Sequence, residues 1–136
     1  MSATPPDRLL RDVLWVCGSR RYPSRTAFDA AVRDYEMRIL QTAERWQPDE
    51  LVLPVPRVDV QFMVWRGEEQ VEPRLRLEAS EPRGFTALDL LHQIHEGIAA
   101  WLDEHQANLY DHCFFEGLSR SGQPSEVPLY FVNFGS

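Results

Sequence analysis

The chain has no lysine: all 14 of its basic residues are arginines, set against 21 acidic residues for a formal charge of −7. Binding to phosphate is driven by basic side chains that release counterions, so this balance speaks against nucleic acid as a partner. The missing lysine fits a bias toward GC-rich coding better than a functional choice, although arginine does suit bidentate surface pairing. Cysteine is almost missing too. Cys17 and Cys113 are far apart and each lies in an apolar, strand-like run, so both read as small buried hydrophobes in a reducing compartment, with no disulfide required. No charged lead followed by an apolar run opens the chain, and no window approaches the roughly 18 apolar residues of a membrane span. The expected location is therefore the cytoplasm, with no membrane partner.

What is present suffices for a core. A chain of 136 residues reads as a single domain, 1–136, whose residues 1–10 form a loosely ordered lead. At this size, folding buries roughly two-thirds of the surface of the open chain.

The stretch from Gly84 to Ser136 organises the rest. Thr86 stands where a helix N-cap belongs, with Asp89 placed to reach back to it, and Phe85 and Leu90 have the spacing of a hydrophobic staple. Ala87, Leu91, Ile94, Ile98, Trp101 and His105 then recur at steps of four and three, which lays one apolar stripe along this helix. A sheet must cover that stripe. Asp111–Leu118 and Val127–Phe134 are the nearest candidate strands, and their Phe114, Phe115, Tyr130, Phe131 and Phe134 are expected to pack against the helix.

Earlier in the chain, Asp12–Gly18 reads as a central strand, because its continuous apolar run ends at a glycine. A second helix is expected from Thr26, whose Thr26-Ala27-Phe28-Asp29 nearly repeats the Thr86-Ala87-Leu88-Asp89 cap. Its face is marked by Phe28, Val32, Tyr35, Ile39, Ala43 and Trp46 before Pro48 stops it. Leu51–Pro56 is broken by prolines and reads as an edge or an extended connector. Val58, Val60, Phe62 and Val64 alternate with polar or larger residues. After a turn at Arg66–Glu69, the alternation resumes in Val71, Leu75, Leu77 and Ala79, which makes a hairpin with one wet face. Pro73 places its second arm at an edge or bulge. The fold class expected from this order is α+β: an antiparallel or mixed sheet of about five strands with two amphipathic helices packed on one face.

The chemistry is fainter. A glycine turn between a strand and a helix can cradle an anion, and Gly18-Ser19-Arg20 fits that description, with Arg21 and Arg25 beside it. Val16-Cys17-Gly18-Ser19-Arg20 resembles the opening of the small Rossmann-type nucleotide-sensing proteins of the SLOG superfamily. That resemblance implies a nucleotide or ligand-binding protein. It covers about 15 residues, and the alternating parallel βα units such a protein needs do not follow. His92, His95 and Glu96 fall on neighbouring helical rows, but their order is His-x-x-His-Glu and no second ligand motif accompanies them, so no metal is expected and ordinary, partly exposed helix histidines are. Ser119 and Ser121 lack a strained glycine elbow, and His112 and Cys113 are strand neighbours pointing to opposite faces. No catalytic residue and no cofactor are assigned.

The tail carries a second resemblance. Asp111-His112-Cys113-Phe114-Phe115-Glu116-Gly117-Leu118, then Val127-Pro128-Leu129-Tyr130 and Gly135-Ser136, following Gly84-Phe85-Thr86, resemble small bacterial immunity proteins that partner polymorphic toxins. The resemblance implies a non-catalytic protein that binds one cognate toxin, and the acidic charge suits a basic surface on that toxin. Contacts are expected from Trp65, Glu68 and Glu69 on the hairpin and from Asp103, Glu104, Asp111 and Glu116 around the end of the central helix, where carboxylates steer association and a tryptophan anchors it. A homodimer through unprotected sheet edges is the third use considered.

Overall fold

The structure, a computed structural model, describes residues 4–136. The elements in chain order are β1 (Arg8–Leu9), β2 (Trp15–Val16), α1 (Arg25–Leu40), β3 (Leu51–Leu53), β4 (Arg57–Gln61), β5 (Val64–Arg66), β6 (Glu69–Val71), β7 (Arg74–Glu78), β8 (Phe85–Thr86), α2 (Ala87–Glu104), β9 (Phe114–Arg120) and β10 (Leu129–Gly135). The class is α+β, and the main sheet is mixed, with six strands in the order β1-β9-β10-β4-β7 and β2 extending the β1 edge along β9. All its pairings are antiparallel except that of β10 with β4.

Register explains which side of this sheet is dry. Leu9 opposes Leu118, Trp15 opposes Phe115, Tyr130 opposes Val60, and Val58 and Val60 oppose Leu77 and Leu75, so all of these share one face. Both helices lie against it. Gly97 of α2 sits where a β-carbon would strike the Leu75 side chain, and Trp15 packs edge-on against Phe28 of α1 and His95 of α2. Keeping Phe115 and Leu118 on the same face requires an extra residue in β9, and Gly117 supplies it at φ +95°, pressed against the backbone of Leu9 and Arg11. The other face is open. Phe114 and Phe131, expected to pack on the central helix, fall on that side and are exposed, because neighbouring residues of a strand point opposite ways.

Several elements differ from the sequence expectation. Ser24, rather than Thr26, caps α1, accepting from the Ala27 N–H, and the helix ends at Leu40 with Gln41 in the left-handed region instead of running to Trp46. Ile39 is consequently exposed, while Trp46 folds back from the following loop, is fully buried, and donates its indole N–H to Asp29 at 2.7 Å. The Asp12–Gly18 run is not a central strand: among the described residues its β2 pairs with β9 alone. Arg8–Leu9, expected in a loose lead, forms an edge strand with Leu9 and Leu10 buried, and the Tyr130 phenol donates to the Pro6 carbonyl at 2.6 Å. The lead's first residues, 1–3, lie outside the described residues. The hairpin is interrupted, since β4 and β7 join the main sheet while β5 and β6 form a separate two-stranded tip beyond Pro73. Leu51–Leu53 pairs with β8 as a short ribbon apart from the main sheet.

The central helix begins where expected. Thr86 accepts from the Asp89 N–H at 3.1 Å, and both Phe85 and Leu90 are buried. Asp89, however, does not reach back to the cap. Its carboxylate is buried, accepts from the Ser80 N–H and hydroxyl, each at 2.9 Å, and pairs with Arg25 at 2.9 Å, which ties the start of α1 to the start of α2.

Candidate functional site

The tip of the β5–β6 hairpin turns at Gly67, which adopts φ +63°. Beside it runs the segment that follows α2. Two main-chain bonds join them, from the Trp65 N–H to the Asn108 carbonyl at 2.9 Å and back from the Asn108 N–H to the Trp65 carbonyl at 2.8 Å. The Trp65 ring stacks on His112, with centroids 5.5 Å apart, and meets Tyr110 edge-on at 5.8 Å. Tyr110 is 55% exposed and held at φ 54°, a region that costs a residue with a β-carbon roughly 1–2 kcal/mol. Its N–H donates to the Asn108 side chain and its hydroxyl to the Gly67 carbonyl, so the hairpin and the loop together keep the ring outward.

This brings together most of the residues expected at a partner surface. Trp65 belongs to this aromatic platform, Asp111 lies within 3.7 Å of His112, Glu68 and Glu69 sit at the hairpin turn next to Gly67, and the three carboxylates are exposed. Trp65 itself is half-covered by its stack with His112 rather than freely exposed. Asp103 and Glu104 are exposed at the end of the same helix that leads into this loop, and Asp103 lines a groove with Tyr110. Glu116 is elsewhere: its carboxylate lies over Gly135 on the open sheet face. Sequence reasoning missed Tyr110 and His112 as members of the platform. The signal for them was the pairing of Trp65 with Asn108, a contact between distant segments that no local pattern carries.

The Gly18-Ser19-Arg20 loop, the alternative site, stands between two grooves of about 730 and 440 Å³ that share Cys17, Gly18 and Ser19. The larger continues over α1 to Asp34, Tyr35 and Arg38. The next residues of the loop are clamped from α2. Trp15 donates its indole N–H to Nδ1 of His95 at 3.0 Å, so the His95 proton sits on Nε2, which donates to the Arg20 carbonyl at 2.7 Å. Glu96 accepts from the Tyr22 N–H and from Arg21, each at 2.9 Å, and His92 bonds the Tyr22 carbonyl at 2.8 Å. His92, His95 and Glu96 thus share a helix face, as their spacing requires, but they spend their bonding capacity on the loop backbone, the Arg21 side chain and the Trp15 indole. His95 is buried rather than partly exposed. Burial lowers its pKa, against the opposing effect of the Arg20 carbonyl, and holds the ring neutral. Among the described residues, no three His, Cys, Asp or Glu side chains are placed to hold a metal ion. Among them, too, no helix is long and apolar enough to cross a membrane.

No family model, curated protein or solved structure matches the chain.

Proposed function

We propose that this chain is a non-catalytic protein-binding module, most concretely an immunity protein that binds and neutralises a cognate bacterial toxin in the cytoplasm. The observation that carries this reading is the platform of Trp65, Tyr110 and His112, with Asp111 beside His112 and the exposed Glu68 and Glu69 at the turn of the same hairpin. Interface energy concentrates in large aromatic side chains that are fixed before binding, while surrounding carboxylates speed encounter with a basic surface. Here the aromatic groups are fixed by main-chain bonds between Trp65 and Asn108, which keeps the ordering cost of association low.

The test is calorimetry against the product of the adjacent gene, chosen for a secreted-toxin architecture. Trp65→Ala is expected to weaken binding by a factor of about 30 or more. Reversing Glu68 and Glu69 to arginine should mainly slow association, most strongly at low salt. Equal affinity for wild type and all these variants, or an adjacent gene with no toxin architecture, counts against the reading. One observation favours a second reading, a small nucleotide or ligand-binding protein: the groove of about 730 Å³ lined by Gly18, Ser19 and Arg20. A thermal midpoint that rises with one member of a nucleotide panel supports it, because a ligand bound only to the folded state stabilises that state.

A further inference from the structure

Cys17 and Cys113, distant in sequence, are partners in space. β2 and β9 pair with Trp15 opposite Phe115 and Val16 opposite Phe114, and one further step along the same register sets Cys17 opposite Cys113. The Cys17 N–H donates to the Cys113 carbonyl at 2.9 Å, which confirms that step. Directly opposed residues of an antiparallel ladder have α-carbons about 4.5–5.5 Å apart and side chains on the same face of the sheet. Disulfides span roughly 4.4–6.8 Å between α-carbons, a range that residues set opposite each other by this register fall within. Both residues also line the groove of about 440 Å³ at the end of α2.

We propose that Cys17 and Cys113 are a redox pair that closes into an intramolecular disulfide on reaction with a low-molecular-weight disulfide such as oxidised glutathione. Cys113 is the entry point, since it is half-buried at the groove wall while Cys17 is buried. Its thiolate attacks one sulfur of the small disulfide, the S–S bond breaks, and one glutathione thiolate leaves, giving a mixed disulfide on Cys113. The Cys17 thiol then yields its proton to solvent and its sulfur attacks Cys113 Sγ, expelling the second glutathione thiolate. Two protein thiols are oxidised and one small disulfide is reduced to two thiols. Burial, with the Cys113 thiol beside it, pushes Cys17 up to about 12, so the closing step is the slow one and quickens as pH rises. Once formed, the bond ties the Gly18 loop to β9 and fixes the wall common to both grooves.

The folded protein is incubated with oxidised glutathione, quenched with acid, and mapped by mass spectrometry without reduction. Wild type is expected to pass through a single glutathione adduct on Cys113 to a species lacking two hydrogen atoms. Trypsin then yields the peptides Asp12–Arg20 and Gly84–Arg120 joined, and the thermal midpoint rises by about 5 °C or more until reductant is added. Cys17→Ala should stop at the adduct, and Cys113→Ser should take no glutathione while folded. The proposal is overturned if wild type keeps both thiols free, if its adduct persists at pH 9, or if only a linkage between two chains forms. These three outcomes are all read on wild type, so they decide the matter even where Cys17→Ala fails to fold.

Discussion

The two helices carry almost the same tetrapeptide near their starts and do different work. α1 buries Phe28, Val32 and Glu36, whereas α2 buries a continuous band from Ala87 to Leu102. In α2 the tetrapeptide Thr86-Ala87-Leu88-Asp89 is the cap, because the preceding β8 holds Thr86 extended and its hydroxyl faces the first turn. In α1 the matching Thr26 is already helical, since Ser24 two residues earlier takes the cap while Arg25 is drawn to Asp89. A capping motif therefore states where a helix could start, and the neighbouring contacts decide where it does. The same asymmetry explains the ends. α2 runs on because each turn buries something against the sheet; α1 stops at Leu40 once nothing apolar remains to cover Met37 and Ile39, which stay about half exposed.

The sharpest way to break the comparison is to shorten one isoleucine on each helix. Ile98→Ala removes a fully buried side chain from α2 and should cost about 2–5 kcal/mol in denaturant titration, while Ile39→Ala on α1 should stay within about 0.5 kcal/mol. The caps come next. Thr86→Ala should cost about 1–2 kcal/mol, Ser24→Ala about 0.5–1 kcal/mol, and Thr26→Ala nearly nothing, an order that a cap at Thr26 would reverse for the last two.

The smallest effect concerns the buried carboxyl that only α1 carries without a charge partner in contact. Glu36 accepts from the Leu14 N–H at 3.0 Å through one oxygen, and the other has no partner among the described residues. Burial raises its pKa, opposed in part by the Leu14 bond and by Arg45. The folded protein then holds a proton that the unfolded chain has released, so the contribution of Glu36 is fully present below the ordinary carboxylate range and is lost as pH rises through the raised folded value. Glu36→Gln should flatten that slope. Asp59 runs the other way: the Arg76 guanidinium, bonded to both its oxygens at 2.8 and 3.0 Å, outweighs burial and lowers its pKa. Its contribution is present above the ordinary range and lost as pH falls through the lowered value. A stability–pH profile of wild type against Glu36→Gln and Asp59→Asn separates the two signs.

Much of this fold was legible because it is written locally. The central helix, its staple, the alternation in β4 and β7 and the edge position forced by Pro73 all follow from spacing within one element. What was not legible depends on pairing between elements. The length of β2 is set by β9, the extra residue at Gly117 turns Phe114 outward, and Asp89 meets Ser80 and Arg25 instead of its own cap. The candidate site divides the same way. Carboxylates on the hairpin and at the end of α2 could be named from their exposed pattern, whereas Tyr110 and His112 join Trp65 only through the Asn108 bridge. Histidines at helical spacing were visible as a group, but their use as a clamp on Arg20 and Tyr22 was not, since it rests on backbone carbonyls far away in the chain.

β10 lies in the middle of the sheet, with β9, β1 and β2 on one side and β4 and β7 on the other. Only β4 with β7 and β9 with β10 join near neighbours in the chain; β1 and β2 reach β9 from the opposite end of the chain, and the two pairs meet when β10 lays Leu129–Phe131 parallel to Asp59–Gln61. Loop closure over that span is the entropic barrier to assembly, so the chain should collapse quickly into two pieces and join them slowly, over milliseconds to seconds. Until then the facing edges of β10 and β4 are bare, and that interval is when the molecule is most prone to aggregate.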